Sequence, residues 1–458
     1  MKVVICGAGQ VGFGIAERLA REQNDVCVVD ANPRHIQIIT EHLNVRGVVG
    51  HGAHPDVLAK AGAEQADMLI AVTLHDEVNM IACQVAHALF TVPTKVARIR
   101  AQTYLQPEWR DLLSRDHLPI DVVISPEIEV GEMVLRRLSL PGAVDTVNFA
   151  EGSVVVSGVH CGEDCPLLNT PLKDLARLFP DLEASIVAVQ RARTVKVLKS
   201  TDCLAAGDVA YFVAATGKVK RILSLFGHDE IPGHRLVIAG GGNIGLYVAE
   251  ELERRNPAAR IKVIESSRAR AQAIAERLSR TVVLHGDALS RELLDEAGVP
   301  DADTVIALTN DDRINILSCL LAKQIGARRI LALLNEQGYA GFARGLGIDA
   351  HVNPRQITVS KVLQHVRRGR IRGVHALLDG AGEMIEAEAL ETSPLVGRPL
   401  RDIDLMEGVR VGAIVRAGQV ILPTGDLVVR AQDRVILFAL AERVKRVEQL
   451  FRVSLEFF

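Results

Sequence analysis

The feature that most constrains this chain is a glycine triplet that occurs twice, each time directly after a short apolar run. The first follows residues 3–6 and the second follows residues 236–239, as Gly7-x-Gly9-x-x-Gly12 and Gly240-x-Gly242-x-x-Gly245. The second triplet begins 233 residues after the first (240 − 7), in a chain of 458 residues. A glycine triplet between a strand and a helix is typical of a βαβ unit that binds a dinucleotide. The chain is therefore predicted to contain a nucleotide-binding unit twice.

Length and composition favour a multidomain protein with buried sheets. A chain of 458 residues exceeds one hydrophobic core, which indicates about three or four domains. Hydrophobic residues make up 48% of the chain. The longest apolar runs, such as 435–441, fall far short of the ~20 residues that span a bilayer. We therefore assign the apolar excess to buried parallel strands, and we expect neither a membrane span nor a signal peptide.

Charge and cysteine usage narrow the class further. The net charge of −3 gives no strong field for nucleic acid, so no nucleic-acid partner is expected. Seven cysteines, an odd number scattered in apolar segments, fit free thiols in a reducing cytosol. The close pair Cys161 and Cys165 has no second pair or matching histidines, which favours a turn over a zinc site.

Strand-like and helix-like segments alternate along both halves of the chain. This order predicts an α/β protein with two Rossmann-like parallel-sheet domains, each followed by a small α+β domain. The predicted boundaries are 1–140 and 232–372 for the Rossmann-like domains and 141–226 and 373–458 for the small ones. Matching segments support the repeat, with residues 66–73 resembling 302–309 and residues 165–174 resembling 393–402. The strands near 209–215 and 433–439 are expected to pair or pack in an interface.

Each glycine of the triplets has a distinct expected role. Gly7 and Gly240 allow a tight turn, Gly9 and Gly242 let a pyrophosphate approach the backbone, and Gly12 and Gly245 let helix and strand pack closely. The first helical turns would then face the phosphates through Gln10, Val11, Asn243 and Ile244. The alternative is that the glycines serve only tight turns and close packing.

An acidic residue ends the second predicted strand of each unit. Asp30 lies 23 residues after Gly7 (30 − 7), and Glu265 lies 25 residues after Gly240 (265 − 240). A carboxylate at this place suits a ribose with a free 2′-hydroxyl. The expected ligands are therefore NAD(H) or an adenine nucleotide rather than NADP.

Further motifs complete a resemblance to a known family. The first copy contains residues 6–12, Asp30, residues 52–56, 66–73 and 76–79, and Ala97-Arg98; the second contains residues 240–245, Glu265, residues 286–288, Thr309 and residues 312–315. Over essentially its full length the chain resembles the tandem RCK or KTN family of regulators of potassium uptake. The resemblance implies a protein that is no enzyme but a cytosolic regulator, peripheral on the cytoplasmic face of the inner membrane. It further implies binding of NAD(H) and ATP or ADP, a homotetrameric ring, and docking on a Trk-type membrane potassium-translocating subunit.

The resemblance also assigns roles to individual residues. Asp30 would bind ribose, Arg98 would reach the phosphates, and Thr73 and Asp76 would line the cleft at the end of the fourth strand, with Thr309 as the second Thr73. Asp287 would contact adenosine in the second copy, and the residue that we match to it in the first copy is Gly52. No metal site is expected; the one candidate is Glu127, which sits where some relatives hold a divalent cation or an inter-subunit contact.

The two copies differ at Arg98 against Leu333 and at Glu127 against Arg355. We therefore hypothesise that the first copy distinguishes ATP from ADP by charge. The second would favour NAD(H) or be structural.

Two alternative functions remain open from the sequence. An NAD-dependent dehydrogenase shares the Rossmann unit, although each unit here is followed only by a module of about 85 residues. A redox-sensing repressor would need a basic helix-turn-helix, and none is evident.

The basic run 367–372 suits either a solvated helix end, which we favour, or a membrane-facing surface. His51 and His54 are expected to flank the cleft rather than to bind metal.

Overall fold

The computed structural model describes residues 1–114, 116–140, 142–179, 182–192, 194–228, 233–366, 371–377 and 380–451. It confirms the predicted fold class, with two parallel sheets and two antiparallel sheets. Within the described ranges, the sheets alternate along the chain as six-stranded, five-stranded, six-stranded and five-stranded.

The first six-stranded sheet is parallel throughout, in the order β3-β2-β1-β4-β5-β6. Its strands are β1 Lys2–Cys6, β2 Asp25–Asp30, β3 Arg46–Val49, β4 Met68–Ala71, β5 Thr94–Arg98 and β6 Val122–Ile124. The helices are α1 Gln10–Arg21, α2 Pro33–His42, α3 Pro55–Ala61, α4 Asp76–Ala88 and α5 Pro126–Ser139. Strands β1 and β4 are almost fully buried, because helices cover both faces of a parallel sheet. This burial explains their uninterrupted apolar runs.

The first small module is an antiparallel sheet in the order β10-β9-β11-β8-β7. Its strands are β7 Ala143–Phe149, β8 Val154–His160, β9 Ala184–Arg191, β10 Thr194–Lys196 and β11 Val209–Ala215, and its helices are α6 Leu172–Leu178 and α7 Val219–Leu225. The amide of Cys165 donates to the carbonyl of Gly162 at 3.2 Å, which confirms the turn expected between the two cysteines.

The second half repeats both sheets. Its parallel sheet has the order β14-β13-β12-β15-β16-β17, with β12 Arg235–Ala239, β13 Arg260–Glu265, β14 Val282–His285, β15 Thr304–Ala307, β16 Arg329–Leu333 and β17 Ala350–Val352. Its helices are α8 Asn243–Arg255, α9 Arg268–Arg277, α10 Arg291–Glu296, α11 Asp312–Ile325, α12 Gln337–Gly345 and α13 Pro354–Val366. The antiparallel sheet, in the order β18-β19-β22-β20-β21, comprises β18 Ile371–Leu377, β19 Gly382–Glu388, β20 Val409–Arg416, β21 Gln419–Ile421 and β22 Arg434–Leu440, followed by α14 Val444–Gln449.

The chain packs as two compact units, and each unit combines parts of both halves of the sequence. One unit, here called the α/β pair, contains residues 1–135 and 233–366. The other, here called the small-module pair, contains the described residues of 136–232 and 367–458. The four domain boundaries predicted from the sequence stay a prediction.

Within the α/β pair, a helix of the second half completes the core of the first sheet. Val362 and Leu363 of α13 belong to the same buried cluster as Val3, Ile5 and Ile15. Val362 is 0% exposed. The first Rossmann-like domain therefore depends on residues about 350 positions away in the sequence for its packing.

Within the small-module pair, one apolar core joins the two antiparallel sheets. Tyr211 and Val213 of β11 share this core with Ile436 and Phe438 of β22. This confirms the expectation that the strands near 209–215 and 433–439 pack in an interface. At its edge, the carboxylate of Glu386 accepts a hydrogen bond from the amide of Ala150 at 3.0 Å.

Candidate functional site

The first and third glycines of each triplet are required by packing. Gly7 has φ +109°, and a Cβ atom there would lie 3.0 Å from the amide nitrogen of Thr73. A Cβ atom on Gly12 would collide with the carbonyl oxygen of Gly7. Gly240 and Gly245 repeat both relations in the second copy. These four glycines allow the close strand-to-helix turn.

The middle glycines are not explained by packing. Gly9 and Gly242 precede α1 and α8 with φ −67° and −61°, values that any residue adopts. A Cβ atom on either would meet no described atom within 4 Å. The first turns of α1 and α8 also contain no acidic residue. Both helices therefore begin at an open, electropositive end of the kind that binds phosphate.

The predicted ribose carboxylates lie beside these loops. Asp30 accepts hydrogen bonds from the amides of Ala8 at 2.6 Å and Asn32 at 2.8 Å. Glu265 accepts from the amides of Gly241 at 2.8 Å and Ser267 at 2.8 Å. The structure thus brings each carboxylate to its own glycine loop, where the ribose of a bound nucleotide lies in Rossmann domains.

Thr73 is held against the first glycine loop by a residue to which the sequence assigned no role. The side chain of Asn79, which is 0% exposed, accepts from the amide and hydroxyl of Thr73, both at 2.8 Å. Its amide donates to the carbonyls of Thr73 and Arg98 at 3.2 and 2.9 Å. Asn79 therefore ties the ends of β4 and β5 together behind the loop.

Asn315 repeats this arrangement with Thr309 and Leu333. Both asparagines occur in the repeated motifs at residues 76–79 and 312–315, and that repetition was the available sequence indication.

Asp76 supports the loop after β5. Its carboxylate, largely buried, accepts from the amides of Arg100 at 2.9 and 3.0 Å and of Ala101 at 2.8 Å. In the second copy, Asp312 accepts in the same way from the amides of Asn335 and Glu336. These contacts make the aspartate a structural anchor at the edge of the predicted cleft.

Arg98 lies at the end of β5, behind Thr73. Its side chain is largely buried, and Nη2 donates to the carbonyl of Thr73 at 2.7 Å. Its Nε is buried without a hydrogen-bond partner among the described residues. Burial lowers the pKa of its guanidinium, and the nearby charge of Arg100 lowers it further. The predicted contact between Arg98 and phosphate stays a prediction.

The match of Asp287 to Gly52 is wrong, because the structure pairs Asp287 with His51. The amide of Gly50 donates to the carbonyl of Asp30 just as that of Gly286 donates to Glu265. The carbonyl of His51 then accepts from the amide of His54, as that of Asp287 accepts from Ser290.

A one-residue insertion before β14 causes this shift. The start of α9 lies 235 residues after that of α2 (268 − 33), whereas β14 begins 236 residues after β3 (282 − 46). At this place the first copy carries an imidazole, 4.6 Å from the ring of His54, and the second copy carries an exposed carboxylate.

Glu127, the metal candidate, is buried at the start of α5. Its Oε1 accepts from Nε of Arg100 at 3.0 Å, and Oε2 is buried without a hydrogen-bond partner among the described residues. Its counterpart Arg355 lies over the ring of Phe13, 5.9 Å from the centroid. Among the described residues, no three His, Cys, Asp or Glu side chains cluster as metal ligands.

The first residues of α1 and α8 contact different partners. Nε2 of Gln10 donates to Oε1 of Glu336 at 2.8 Å, which brings a residue of the second Rossmann-like domain to the first loop. Nη2 of Arg270 donates to Oδ1 of Asn243 at 3.1 Å. Val11 and Ile244 are half-buried beside them.

Two remaining expectations concern membranes. Residues 367–370 of the predicted basic run, and the side chain of Arg372, lie outside the described residues. In the part of the chain that the structure describes, no helix combines the length and the apolar character needed to cross a bilayer.

Comparisons with known proteins point to one family. The TrkA-N domain model matches residues 3–126 and 236–354, and the TrkA-C domain model matches residues 384–452. The chain is 79% identical over 458 residues to the Trk system potassium uptake protein TrkA of Azorhizobium caulinodans, covering 100% of both chains. It is 43% identical over 462 residues to the protein of the same name from Halomonas elongata, again covering 100% of both.

Solved structures share the fold at low sequence identity. The GsuK RCK domain superposes with a TM-score of 0.60 at 19% identity, covering 98% of this chain and 94% of the other. The GsuK channel bound to NAD has a TM-score of 0.61 at 18% identity, covering 98% and 78%. GsuK bound to ADP has a TM-score of 0.50 at 16% identity, covering 80% and 69%.

Proposed function

Since the chain belongs to the TrkA family of Trk system potassium uptake proteins, we propose that it is the nucleotide-binding regulatory subunit of a Trk-type transporter. Membership of this family confirms the prediction that the chain is not an enzyme, and it removes the ground for the dehydrogenase alternative. The Rossmann fold itself does not decide between the two, because it serves both functions.

The observation that carries nucleotide binding is the open middle glycine of each loop. Packing explains Gly7 and Gly12 but leaves Gly9 without a structural purpose, and the same holds for Gly242. A phosphate that approaches the helix end gives both residues a purpose, and Asp30 and Glu265 stand where a ribose would bind.

The proposed ligands are NAD(H), ADP and ATP, held by the residues named from the sequence. One GsuK structure contains NAD and another ADP, which supports these classes for a protein of the same fold. ATP, and the roles of Thr73, Asp76, Arg98, Asp287 and Thr309, rest on the family resemblance.

We further propose a homotetrameric ring on the cytoplasmic face of the membrane. Large apolar side chains are exposed on the helix after the fourth strand and on the segment after the fifth strand of each copy: Ile81, Trp109, Leu317, Tyr339 and Phe342. The chain moves in the same direction from the fourth strand to the fifth and from the fifth to the sixth, so right-handed crossovers place both segments on the same face of the sheet. Their exposed residues therefore offer apolar faces for contact between chains. The ring would dock on a Trk-type membrane potassium-translocating subunit.

The proposed mechanism is a shift of population between ring geometries. A nucleotide that binds one geometry more tightly than another biases the attached transporter by the difference in binding free energy. Occupied loops would in this way change potassium uptake without any chemical step on the nucleotide.

The test uses a substitution that blocks the loop while keeping the fold. Aspartate at a helix N-cap is favourable, so Gly9→Asp and Gly242→Asp should fold, while their carboxylates repel phosphate. Calorimetric titration of wild type with ADP and NADH should show binding, and the double variant should show none. NADH absorbance should stay constant when carbonyl compounds are added, because a regulatory subunit does not oxidise NADH as a dehydrogenase would. Unchanged binding in the folded double variant would exclude the glycine loops as the nucleotide sites.

A second experiment tests the partner and the ring. The protein should co-purify with a Trk-type membrane subunit from detergent extracts, in an amount that depends on added ATP, ADP or NADH. Light scattering of the protein alone should give four chains per particle. A monomer at micromolar concentration would contradict the proposed ring.

A further inference from the structure

The two glycine loops carry side chains of opposite charge at the same place. In the second loop, Arg270 of α9 donates from Nε to the carbonyl of Gly241 at 3.0 Å and from Nη2 to Oδ1 of Asn243 at 3.1 Å. A guanidinium is therefore held at the loop and at the first residue of α8. This is where the phosphates of a nucleotide come closest to the backbone in a Rossmann unit.

In the first loop, the side chain that contacts the first residue of the helix is a carboxylate. Glu336 accepts from Nε2 of Gln10, the first residue of α1, at 2.8 Å. The segment that carries Glu336 is fixed, because its amide donates to Asp312 at 2.8 Å. A cation is also present nearby, since Arg355 lies over Phe13, but that ring lies almost one turn further along α1.

Neither charged residue has a like-charged counterpart in the other copy. Arg270 is the third residue of α9 and matches His35, the third residue of α2, which faces Asp30 with Nδ1 3.4 Å from Oδ1. Glu336 matches Ala101 in the first copy. The amide of Glu336 donates to Asp312, the first residue of α11, and the amide of Ala101 donates to Asp76, the first residue of α4. The backbone is thus alike in both copies, whereas the side chains at these matched positions differ in charge.

We propose that the second loop binds the more phosphate-rich nucleotide, with Arg270 as its phosphate-binding cation, whereas Glu336 makes the first loop select a ligand with fewer exposed phosphate charges. Charge-assisted hydrogen bonds between guanidinium and phosphate are short and directional. A carboxylate beside the same phosphate opposes binding. The ligand classes are a nucleoside di- or triphosphate for the second loop and a dinucleotide for the first.

This assignment reverses the one that Arg98 and Leu333 favour in the sequence. The guanidinium of Arg98 is buried and bound to the carbonyl of Thr73, so it stands behind the loop rather than in it. Arg270 is only partly buried and contacts the loop directly. The inference rests on the proposed function, because it requires that both loops bind nucleotides.

The experiment isolates each loop in the full-length protein. In Gly9→Asp, where the second loop alone remains open, Arg270→Gln should weaken ADP and ATP about tenfold or more and leave adenosine within about twofold. Arg270→Lys should keep part of the affinity. The matched control is Arg268→Gln, an equal charge change at an exposed position of the same helix, which should shift ADP binding less than about twofold.

The first loop is tested in Gly242→Asp. There Glu336→Gln should strengthen ATP binding about tenfold and NAD binding much less, and His35→Arg should act in the same direction.

Salt dependence provides a second measurement at the second loop. The salt dependence of ADP binding at that loop should become shallower in Arg270→Gln. This readout distinguishes a charge contact from a change in folding, which circular dichroism monitors in parallel.

The outcomes separate the inference from the proposed function. If neither single-loop background binds any nucleotide, the proposed function fails. If both bind but Arg270→Gln leaves ADP and ATP affinity and its salt dependence unchanged, the inference is overturned. It is overturned equally if Arg98→Ala, rather than Arg270→Gln, abolishes the preference for ATP. The expected pattern, a preference for phosphate at the second loop that follows Arg270, supports it.

Discussion

At the residue scale, each glycine triplet separates a packing requirement from a binding requirement. Gly12 and Gly245 have no space for a Cβ atom, whereas Gly9 and Gly242 face open space. The sequence predicts the same division from the spacing of the triplet. It succeeds here because both requirements are local and arise within one strand-turn-helix segment.

Gly12→Ala is predicted to destabilise the protein, and Gly9→Asp is not. The added methyl would collide with the carbonyl of Gly7, and overpacking of this kind costs about 1–3 kcal/mol. At Gly9 an aspartate would cap α1, so the free energy of unfolding should stay the same or rise by only a few tenths of a kcal/mol. Urea denaturation followed by circular dichroism measures both. Equal stability of Gly12→Ala and wild type would contradict the close approach seen at this turn.

Two positions could not be interpreted correctly from residue type alone, because their roles depend on how the segments align and pack in the folded sheet. Asp287 was matched to Gly52 because a constant offset ignored one extra residue before β14, which moves the match to His51. Asn79 received no role because its purpose is to join the ends of β4 and β5, which approach each other only in the folded sheet. Sequence periodicity carries no information on such side-chain bridges.

At the element scale, the strands of each small module are tied by an ion pair whose aspartate is buried. Arg191 of β9 donates to both carboxylate oxygens of Asp208 at 2.8 Å, and Asp208 precedes β11. Arg416 and Asp433 repeat the pair in the second module. The geometry is bidentate and the aspartates are almost fully buried, so the pairs fix the position of the strand that follows.

Acid is predicted to loosen the first of these pairs. Burial alone would raise the pKa of Asp208, but hydrogen bonds from Arg191 and from the amide of Ala205 outweigh it and lower the pKa. A carboxylate whose folded pKa lies below its unfolded value, about 3.9, stabilises the protein above that pH. Its contribution is then lost as the pH falls through the folded value.

Hydrogen exchange can follow this loss locally. At neutral pH, Asp208→Asn should raise the exchange rates of the β9 and β11 amides relative to wild type, and the difference should shrink below about pH 4. Asp164→Asn, an exposed change in the same module, serves as the control and should match wild type. A difference between Asp208→Asn and wild type that persists undiminished at the lowest pH would contradict the ion-pair assignment.

A helix from the second half is predicted to stabilise the first sheet. Val362 of α13 is fully buried with Val3 and Ile5, so Val362→Ala should leave a cavity that costs about 2 kcal/mol. Exchange of the β1 amides should report the loss, although β1 lies at the opposite end of the sequence. Ile38→Ala, at a half-exposed site on α2, should change stability by less than about 0.5 kcal/mol. If β1 exchange is unaffected in Val362→Ala, the shared core is not present in solution.

The buried strands were predictable, but the packing of α13 from the second half on the first sheet was not. Buried parallel strands produce uninterrupted apolar runs, so β1, β4 and their repeats are evident from the order of residues alone. The periodicity of α13 does not indicate whether it packs on α1 or on α8. Only the tertiary structure decides which one it covers.

At the scale of the whole molecule, both glycine loops belong to one compact unit built from both halves of the chain. The α/β pair holds residues 1–135 and 233–366, and Glu336 of one Rossmann-like domain contacts Gln10 at the loop of the other. A duplicated sequence has thus become a unit in which each half contributes to the surroundings of the other. Divergence between the copies, such as Arg270 against His35, then gives one unit two loops of different charge.

Ligand binding should consequently stabilise the α/β pair in two additive steps. A ligand present at one hundred times its Kd raises the free energy of unfolding by about 2.7 kcal/mol for each site that binds only the folded state. Because both loops lie in the same compact unit and the second is proposed to bind ADP more tightly, ADP should stabilise wild type most, Gly9→Asp nearly as much, and Gly242→Asp least. Urea denaturation at fixed protein concentration, with and without ADP, measures the three values. Equal stabilisation of wild type and one single variant would mean that the blocked loop binds no ADP. Each blocked loop in turn therefore shows whether the duplication has kept two working sites or one.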